Sequence, residues 1–125
     1  MVDAATVREL ALSFPETRQG EQPGTLDFDV AGKGFAWTWR ERVAPKQPRR
    51  LRPDVLAVRC AMERKHYLLE AAPEVFFDDD HYRGYPGVLV RLDRIEPPEL
   101  ASLLEEGWRI QAPKKLVRDY DARGG

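Results

Sequence analysis

The spacing of hydrophobic residues changes along the chain between helical and strand periods, which predicts a mixed α+β fold. A first helix is predicted near the N-terminus, where apolar residues recur at i, i+3, i+4 and i+7. These residues are Val7, Leu10, Ala11 and Phe14. Asp3 precedes them as a candidate cap, and Pro15 ends the helix. The polar, turn-forming residues 16–24 then predict a loop.

Alternation of apolar and polar residues, or a short apolar run, predicts four strands. They cover residues 25–30, 35–40, 54–60 and 87–93. Residues 31–34, Ala-Gly-Lys-Gly, are expected to form the hairpin turn between the first two. In the second strand Phe35, Trp37 and Trp39 occupy every other position, which predicts one bulky face. The third strand alternates little, which indicates a central place in an antiparallel sheet.

Helical patterns follow the third and fourth strands. They cover residues 61–72, 96–109 and 114–120. The middle one places Leu100, Leu103, Leu104 and Trp108 on one face, and Gly107 is expected to loosen its last turn. Between the strands, residues 75–77 form a short apolar segment that we expect to pack under the sheet.

Positive charge is concentrated in residues 40–52, against the single acid Glu41. Pro45, Pro48 and Pro53 lack the backbone donors of a sheet ladder, so an exposed, stiffened loop is predicted. Guanidinium groups fit phosphate oxygens, which makes this loop a candidate phosphate-binding surface; the alternative is an ordinary solvated loop. The candidate nucleic-acid-binding residues are Arg40, Arg42, Lys46, Arg49, Arg50 and Arg52, joined by Lys114 and Lys115.

Length and composition bound the possibilities. The 125 residues fit a single domain over residues 1–125, with 42% hydrophobic and 33% charged residues. The sequence shows neither a secretion signal nor a long apolar run, so a cytoplasmic protein is expected. A net charge of −1 weighs against a protein that is basic all over, although uneven charge can still present one basic face. The single cysteine, Cys60, is expected in the core.

A second candidate site lies in residues 78–87, where three aspartates precede His81, Tyr82, Arg83 and Tyr85. Adjacent aspartates cannot easily converge on one ion, so no metal is predicted; one of them is expected to cap a turn. His81 could serve as a general base, but no nucleophile motif or nucleotide-binding glycine motif accompanies it, so no enzyme and no cofactor are predicted. The alternative function is a small-ligand or protein-binding pocket formed by these four residues.

Aromatic residues could also stack on bases. Trp37, Trp108 and Trp39 are instead expected to support the core and the sheet. For Tyr82 and Tyr85, which lie in a loop with glycine and proline, both core packing and base stacking stay open.

Six segments in order resemble the MmcQ/YjbR family of small bacterial proteins. They read SFPE, TLDFDVAGKGFAWTW, RPDVLAVRC, LLEAAPEVFF, DDDHYRGYPGVLVRLD and ELASLLEEGWR, and together cover nearly the whole chain. The resemblance implies a frataxin-like (CyaY-like) α+β fold, with an antiparallel sheet packed by helices from both ends of the chain. It also implies a DNA-binding protein and supplies no catalytic residues. The leading hypothesis is therefore a non-enzymatic DNA-binding protein that contacts backbone phosphates through residues 40–52.

Overall fold

One antiparallel sheet of six strands organises the fold, and the computed structural model describes residues 1–124. The strands are β1 (Thr17–Gln19), β2 (Asp27–Val30), β3 (Lys33–Glu41), β4 (Arg50–Arg59), β5 (Phe76–Phe77) and β6 (Gly87–Arg91), in the order β1-β2-β3-β4-β6-β5. The helices are α1 (Ala4–Leu12), α2 (Met62–Ala71), α3 (Pro97–Gln111) and α4 (Lys114–Ala122). The predicted α+β class, with helices from both ends on an antiparallel sheet, is confirmed.

The main core lies between one face of the sheet and the helices α1 and α3. The helical pattern of α3 is confirmed, since Leu100, Leu104 and Trp108 are fully buried. Asp3 caps α1 as predicted, because its Oδ1 accepts a hydrogen bond of 2.9 Å from the Thr6 amide. Cys60 is fully buried, and burial raises the pKa of its thiol to about 11. No helix within residues 1–124 has the length and apolar character needed to cross a membrane.

Gly107 does not loosen α3, which continues to Gln111; that prediction was wrong. A Cβ atom at Gly107 would lie 2.9 Å from the carbonyl oxygen of Arg59 and 3.2 Å from that of Phe35. Glycine is needed there because the helix backbone approaches the backbone of β3 and β4.

The expectation of one bulky face on β3 was also wrong. Ala36 pairs with Phe28 and Gly34 with Asp29, which leaves Phe35 as the extra residue of a bulge. Phe35 therefore packs into the helix-side core, whereas Trp37 and Trp39 belong to the opposite face. The two tryptophans lie on the side of the sheet that the core helices leave open.

The strand β4 begins earlier than predicted. It starts at Arg50, and the pairing with β3 skips from Leu56 to Arg52. Pro53 lies in the skipped part, so the ladder needs no donor from it. Arg50 and Arg52 are strand residues as a result, and the connecting loop is limited to residues 42–49.

Two short edge strands were not predicted from the sequence. The predicted loop over residues 16–24 contains β1, which pairs with β2, and the apolar segment near residue 76 forms β5, which pairs with β6. Strands of three and two residues are too short for alternation to identify.

Candidate functional site

A second, smaller core of aromatic and apolar residues covers the open face of the sheet. Trp39, Tyr82 and Leu89 are buried in it, with Trp37 and Tyr85 at its margin. Arginine side chains lie over its rings at 5.5 Å (Arg52 over Trp39), 5.6 Å (Arg59 over Tyr85) and 4.2 Å (Arg91 over Phe77). Through these cation–π contacts, three guanidinium groups cover aromatic rings of the second core. Sequence reasoning missed them, although Arg59 and Arg91 keep the same strand parity as Ala57 and Leu89.

Buried Lys65 holds the loop of residues 78–86 against this face. Its Nζ donates to the carbonyl oxygens of Tyr82 at 2.6 Å and Tyr85 at 2.9 Å, and pairs with Asp78 Oδ1 at 3.1 Å. The ammonium group therefore makes two hydrogen bonds to backbone carbonyls, and Asp78 balances its charge as an ion pair. Lys65 was predicted only as a helix former, yet its spacing from Met62 and Leu68 matches the buried face of α2.

Asp79 anchors the same loop from its other side. Its Oδ1 accepts from the Tyr82 amide at 2.8 Å, and its Oδ2 accepts from Trp39 Nε1 at 3.0 Å. The expectation that one aspartate caps a turn is thus confirmed. Asp80 pairs with exposed Arg83 at 2.9 Å. Among residues 1–124, no group of three or more His, Cys, Asp and Glu side chains is arranged to hold a metal ion.

Between the β3–β4 loop and the 78–86 loop lies a cleft of about 530 Å³. It is lined by Trp37, Arg40, Arg49, His81, Tyr82 and Tyr85. The sequence offered two separate candidates, the His81–Tyr85 loop and residues 40–52, which we call the basic loop and which include the end of β3 and the start of β4. The two regions form two walls of one site. We call this site the aromatic cleft.

A second cleft of about 440 Å³ shares two lining residues, Arg49 and His81, with the aromatic cleft. Its other lining residues come from the β3–β4 loop, including Arg42 and Pro45, and from the 78–86 loop, namely Asp79 and Asp80. Arg49 thus contributes to both depressions.

The arginines and lysine of the basic loop differ in how far their charge is already neutralised. The charge of Arg52 is already neutralised by two carboxylates. Asp54 at 2.9 Å and Glu41 at 2.7 Å accept hydrogen bonds from its guanidinium group and raise its pKa. Arg50 shares Glu41 at 3.5 Å. Within the described part of the chain, the remaining cations contact no carboxylate at ion-pair distance; they are Arg40, Arg42, Lys46 and Arg49.

Neutral acceptors orient three of these four side chains. Arg49 donates to the Arg40 carbonyl at 3.1 Å, Arg40 to the Gln22 amide oxygen at 3.2 Å, and Arg42 to the Pro45 carbonyl at 3.2 Å. Because a guanidinium group has five N–H donors, each arginine retains donors for an anionic ligand.

Lys114 and Lys115 lie elsewhere. Lys114 lines a groove with Lys33 at the start of β3, whereas the basic loop includes the other end of that strand, Arg40 and Glu41. Eight residue steps at about 3.3 Å separate these ends by roughly 25 Å. The structure does not bring the two lysines together with the basic loop.

The four residues of the predicted ligand pocket have different environments. His81 is exposed, and its ring meets Tyr82 edge-on at 5.1 Å. Tyr82 is buried and accepts a hydrogen bond of 2.8 Å from Trp37 Nε1, while Tyr85 is half-buried. Burial raises the pKa of Tyr82, so its hydroxyl is neutral at physiological pH. Arg83 is exposed and does not line the aromatic cleft.

Comparison with known proteins gives relatives in mycobacteria and a structural neighbour. Uncharacterized protein Rv2570 of Mycobacterium tuberculosis and uncharacterized protein Mb2600 of Mycobacterium bovis are each 44% identical over 73 residues, or 58% of this chain. The match spans 57% of the length of these relatives.

The crystal structure of Deinococcus radiodurans protein DR2400, with the domain DUF419, matches with a TM-score of 0.63. It covers 86% of this chain and 77% of that chain at 22% identity, which supports the fold. The YjbR family model matches residues 12–110, a segment that includes the whole sheet and both walls of the aromatic cleft. The chain therefore belongs to the YjbR family.

Proposed function

We propose that this protein is a non-enzymatic DNA-binding protein that contacts backbone phosphates through the basic loop. The observation that carries the proposal is the group of cations without a carboxylate partner in the described chain, namely Arg40, Arg42, Lys46 and Arg49. Of the nearby acids, Asp80 pairs with Arg83, and Asp79 is oriented by hydrogen bonds from Trp39 and the Tyr82 amide, which leave its negative charge in place. A net charge of −1 thus coexists with a local surface suited to phosphate.

No catalytic residue is assigned. His81 is exposed with its ring edge-on to Tyr82, and the raised pKa of Tyr82 disfavours an ionised nucleophile. Binding through phosphates discriminates weakly between sequences, because phosphate contacts position a protein on DNA without reading bases.

Fluorescence anisotropy with labelled DNA at low and moderate salt tests the proposal. If all four cations contact phosphates, the logarithm of the binding constant falls with the logarithm of salt at a slope of about −3 to −4. The variant Arg40→Glu/Arg49→Glu should bind far more weakly than the wild type. Lys114→Glu/Lys115→Glu makes the same change in net charge at the other end of β3 and is the matched control.

Two results would overturn the proposal. One is no binding of single-stranded or duplex DNA at low salt. The other is an equal loss in both double variants, which would mean that net charge alone governs any binding.

A second candidate is a binding site for a small anionic aromatic ligand in the aromatic cleft. Its volume of about 530 Å³ and aromatic walls fall within the usual range for such pockets. Isothermal titration with mononucleotides separates the candidates. A small-ligand site would bind a mononucleotide as tightly as an oligonucleotide, whereas phosphate contacts along the loop require the longer chain.

A further inference from the structure

The aromatic cleft has dimensions and surfaces that a phosphate-binding loop alone does not need. Half-buried Trp37 and Tyr85 line it together with Tyr82, and Arg40 and Arg49 line it as well. Aromatic rings beside guanidinium groups are the combination by which proteins hold single-stranded nucleic acid, since rings stack on bases and arginines contact the backbone.

The aromatic rings are already held in place. Trp37 donates its Nε1 hydrogen to the Tyr82 hydroxyl at 2.8 Å, and Tyr85 lies beneath Arg59 at 5.6 Å. A Cβ atom at Gly87 would lie 2.8 Å from the Tyr85 ring. The ring therefore packs against Gly87 in space that a larger residue would occupy. Rings fixed before binding lose little side-chain entropy when a flat ligand stacks on them.

Positively charged side chains also lie beyond the aromatic cleft. Arg49 borders both clefts, and Arg42 lines the second one. Arg49 and Arg42 therefore offer phosphate contacts beyond the aromatic cleft, on a surface that Asp79 and Asp80 also line. A compact ligand confined to one cleft would leave Arg42 unused.

Duplex DNA cannot use the aromatic cleft in this way, because its bases are paired and stacked in the helix interior. Only a single strand, or a base flipped out at an energetic cost, presents a free ring face. We infer that the aromatic cleft receives one unstacked base of a single DNA strand while Arg40 and Arg49 hold the flanking phosphates. This inference rests on the proposed function and adds a strand preference and a base contact to it.

The test compares two labelled strands with the same number of phosphates on wild-type protein. One is oligothymidine of about 12 nucleotides, within the usual site sizes, and the other has abasic tetrahydrofuran analogues throughout. We expect the base-bearing strand to bind about 5- to 150-fold more tightly, the effect of about one base–aromatic stack. It should also bind more tightly than a duplex of the same length.

Matched variants locate the contact. Tyr85→Leu should bring the affinity for the base-bearing strand down toward the affinity of the same variant for the abasic strand. Tyr67→Leu is the control, since Tyr67 is 61% exposed on α2 and lies outside the cleft. Arg49→Glu should weaken the binding of both the base-bearing and the abasic strand.

The outcomes separate the two proposals. Equal binding of base-bearing and abasic strands, or tighter binding of duplex, overturns base capture and leaves phosphate binding intact. Loss of the base preference in Tyr67→Leu but not in Tyr85→Leu also overturns it. Failure of every DNA to bind at low salt overturns both.

Discussion

At the scale of single residues, glycines mark the places where the chain must come close to itself. Gly87 lies under the Tyr85 ring, and Gly107 lies against the carbonyl oxygens of Arg59 and Phe35. Neither has a positive φ among the described glycines, so the requirement is for space and not for backbone conformation. Gly87 thereby sets the position of one wall of the aromatic cleft.

Gly87→Ala should displace the Tyr85 ring and lower the free energy of unfolding by about 1–3 kcal/mol, the usual cost of overpacking. Urea denaturation measures the change. Gly34→Ala is the matched control, because its nearest neighbour would be an ordinary contact of 3.6 Å to the Trp37 ring. Equal stability of Gly87→Ala and wild type would show that Tyr85 moves aside freely.

At the scale of elements, the 78–86 loop is positioned by α2 and β3 and not by its own sequence. Lys65 reaches it from α2, and the two tryptophans of β3 bond to Tyr82 and Asp79. The loop is thereby joined to the wall that carries Arg40, so the cleft depends on three elements that are separate in the chain.

Lys65→Met should destabilise the protein by about 3–5 kcal/mol, because it leaves Asp78 and two buried carbonyl groups without their partner. Guanidinium chloride denaturation measures the loss, and amide hydrogen exchange should show faster exchange in residues 79–85.

The same substitution at exposed Lys114 is the control and should change stability by less than about 0.5 kcal/mol. A loss below about 1 kcal/mol for Lys65→Met would contradict the assigned role, since a buried pair cannot be broken so cheaply.

At the scale of the whole molecule, opposite charges are distributed so that a nearly neutral chain has distinct local surfaces. Several ion pairs join residues of the same or neighbouring elements, among them Arg52 with Asp54 and Glu41, and Arg109 with Asp121. These pairs neutralise charge around the sheet and α4, while the cations of the basic loop stay available.

The pairs also predict how stability depends on pH. Hydrogen bonds from Arg52 and Arg109 hold the pKa values of Asp54 and Asp121 below the usual 3.8. A carboxyl group with a lowered folded pKa stabilises the fold above its unfolded pKa and loses that contribution as the pH falls through the folded value. Stability should therefore fall as the pH drops below about 4.

Thermal unfolding between pH 2 and 6 checks this expectation. Asp54→Asn/Asp121→Asn should lose less stability over the acid range than the wild type, because neither side chain titrates. An identical acid dependence in the variant would assign the loss to other carboxyl groups.

Elements in which buried positions recur at a regular spacing could be predicted from the sequence. The face of α3 formed by Leu100, Leu104 and Trp108, and the central place of β4, follow from residue periods because each depends on neighbours a few positions away. The basic character of residues 40–52 and the turn-capping aspartate could also be predicted from the sequence, since composition and turn chemistry are local.

The contacts between β3, α2 and the 78–86 loop, by contrast, could be seen only in the three-dimensional structure. The bulge at Phe35 moved the tryptophans to the open face, and Trp37 and Tyr82 join across 45 positions of the chain. Lys65, spaced like a core residue, became an anchor only because two carbonyl groups 17 and 20 positions later converge on it. Residue periods describe neighbours along one element, whereas a cleft is formed by contacts between elements, so its walls could not be joined from the sequence.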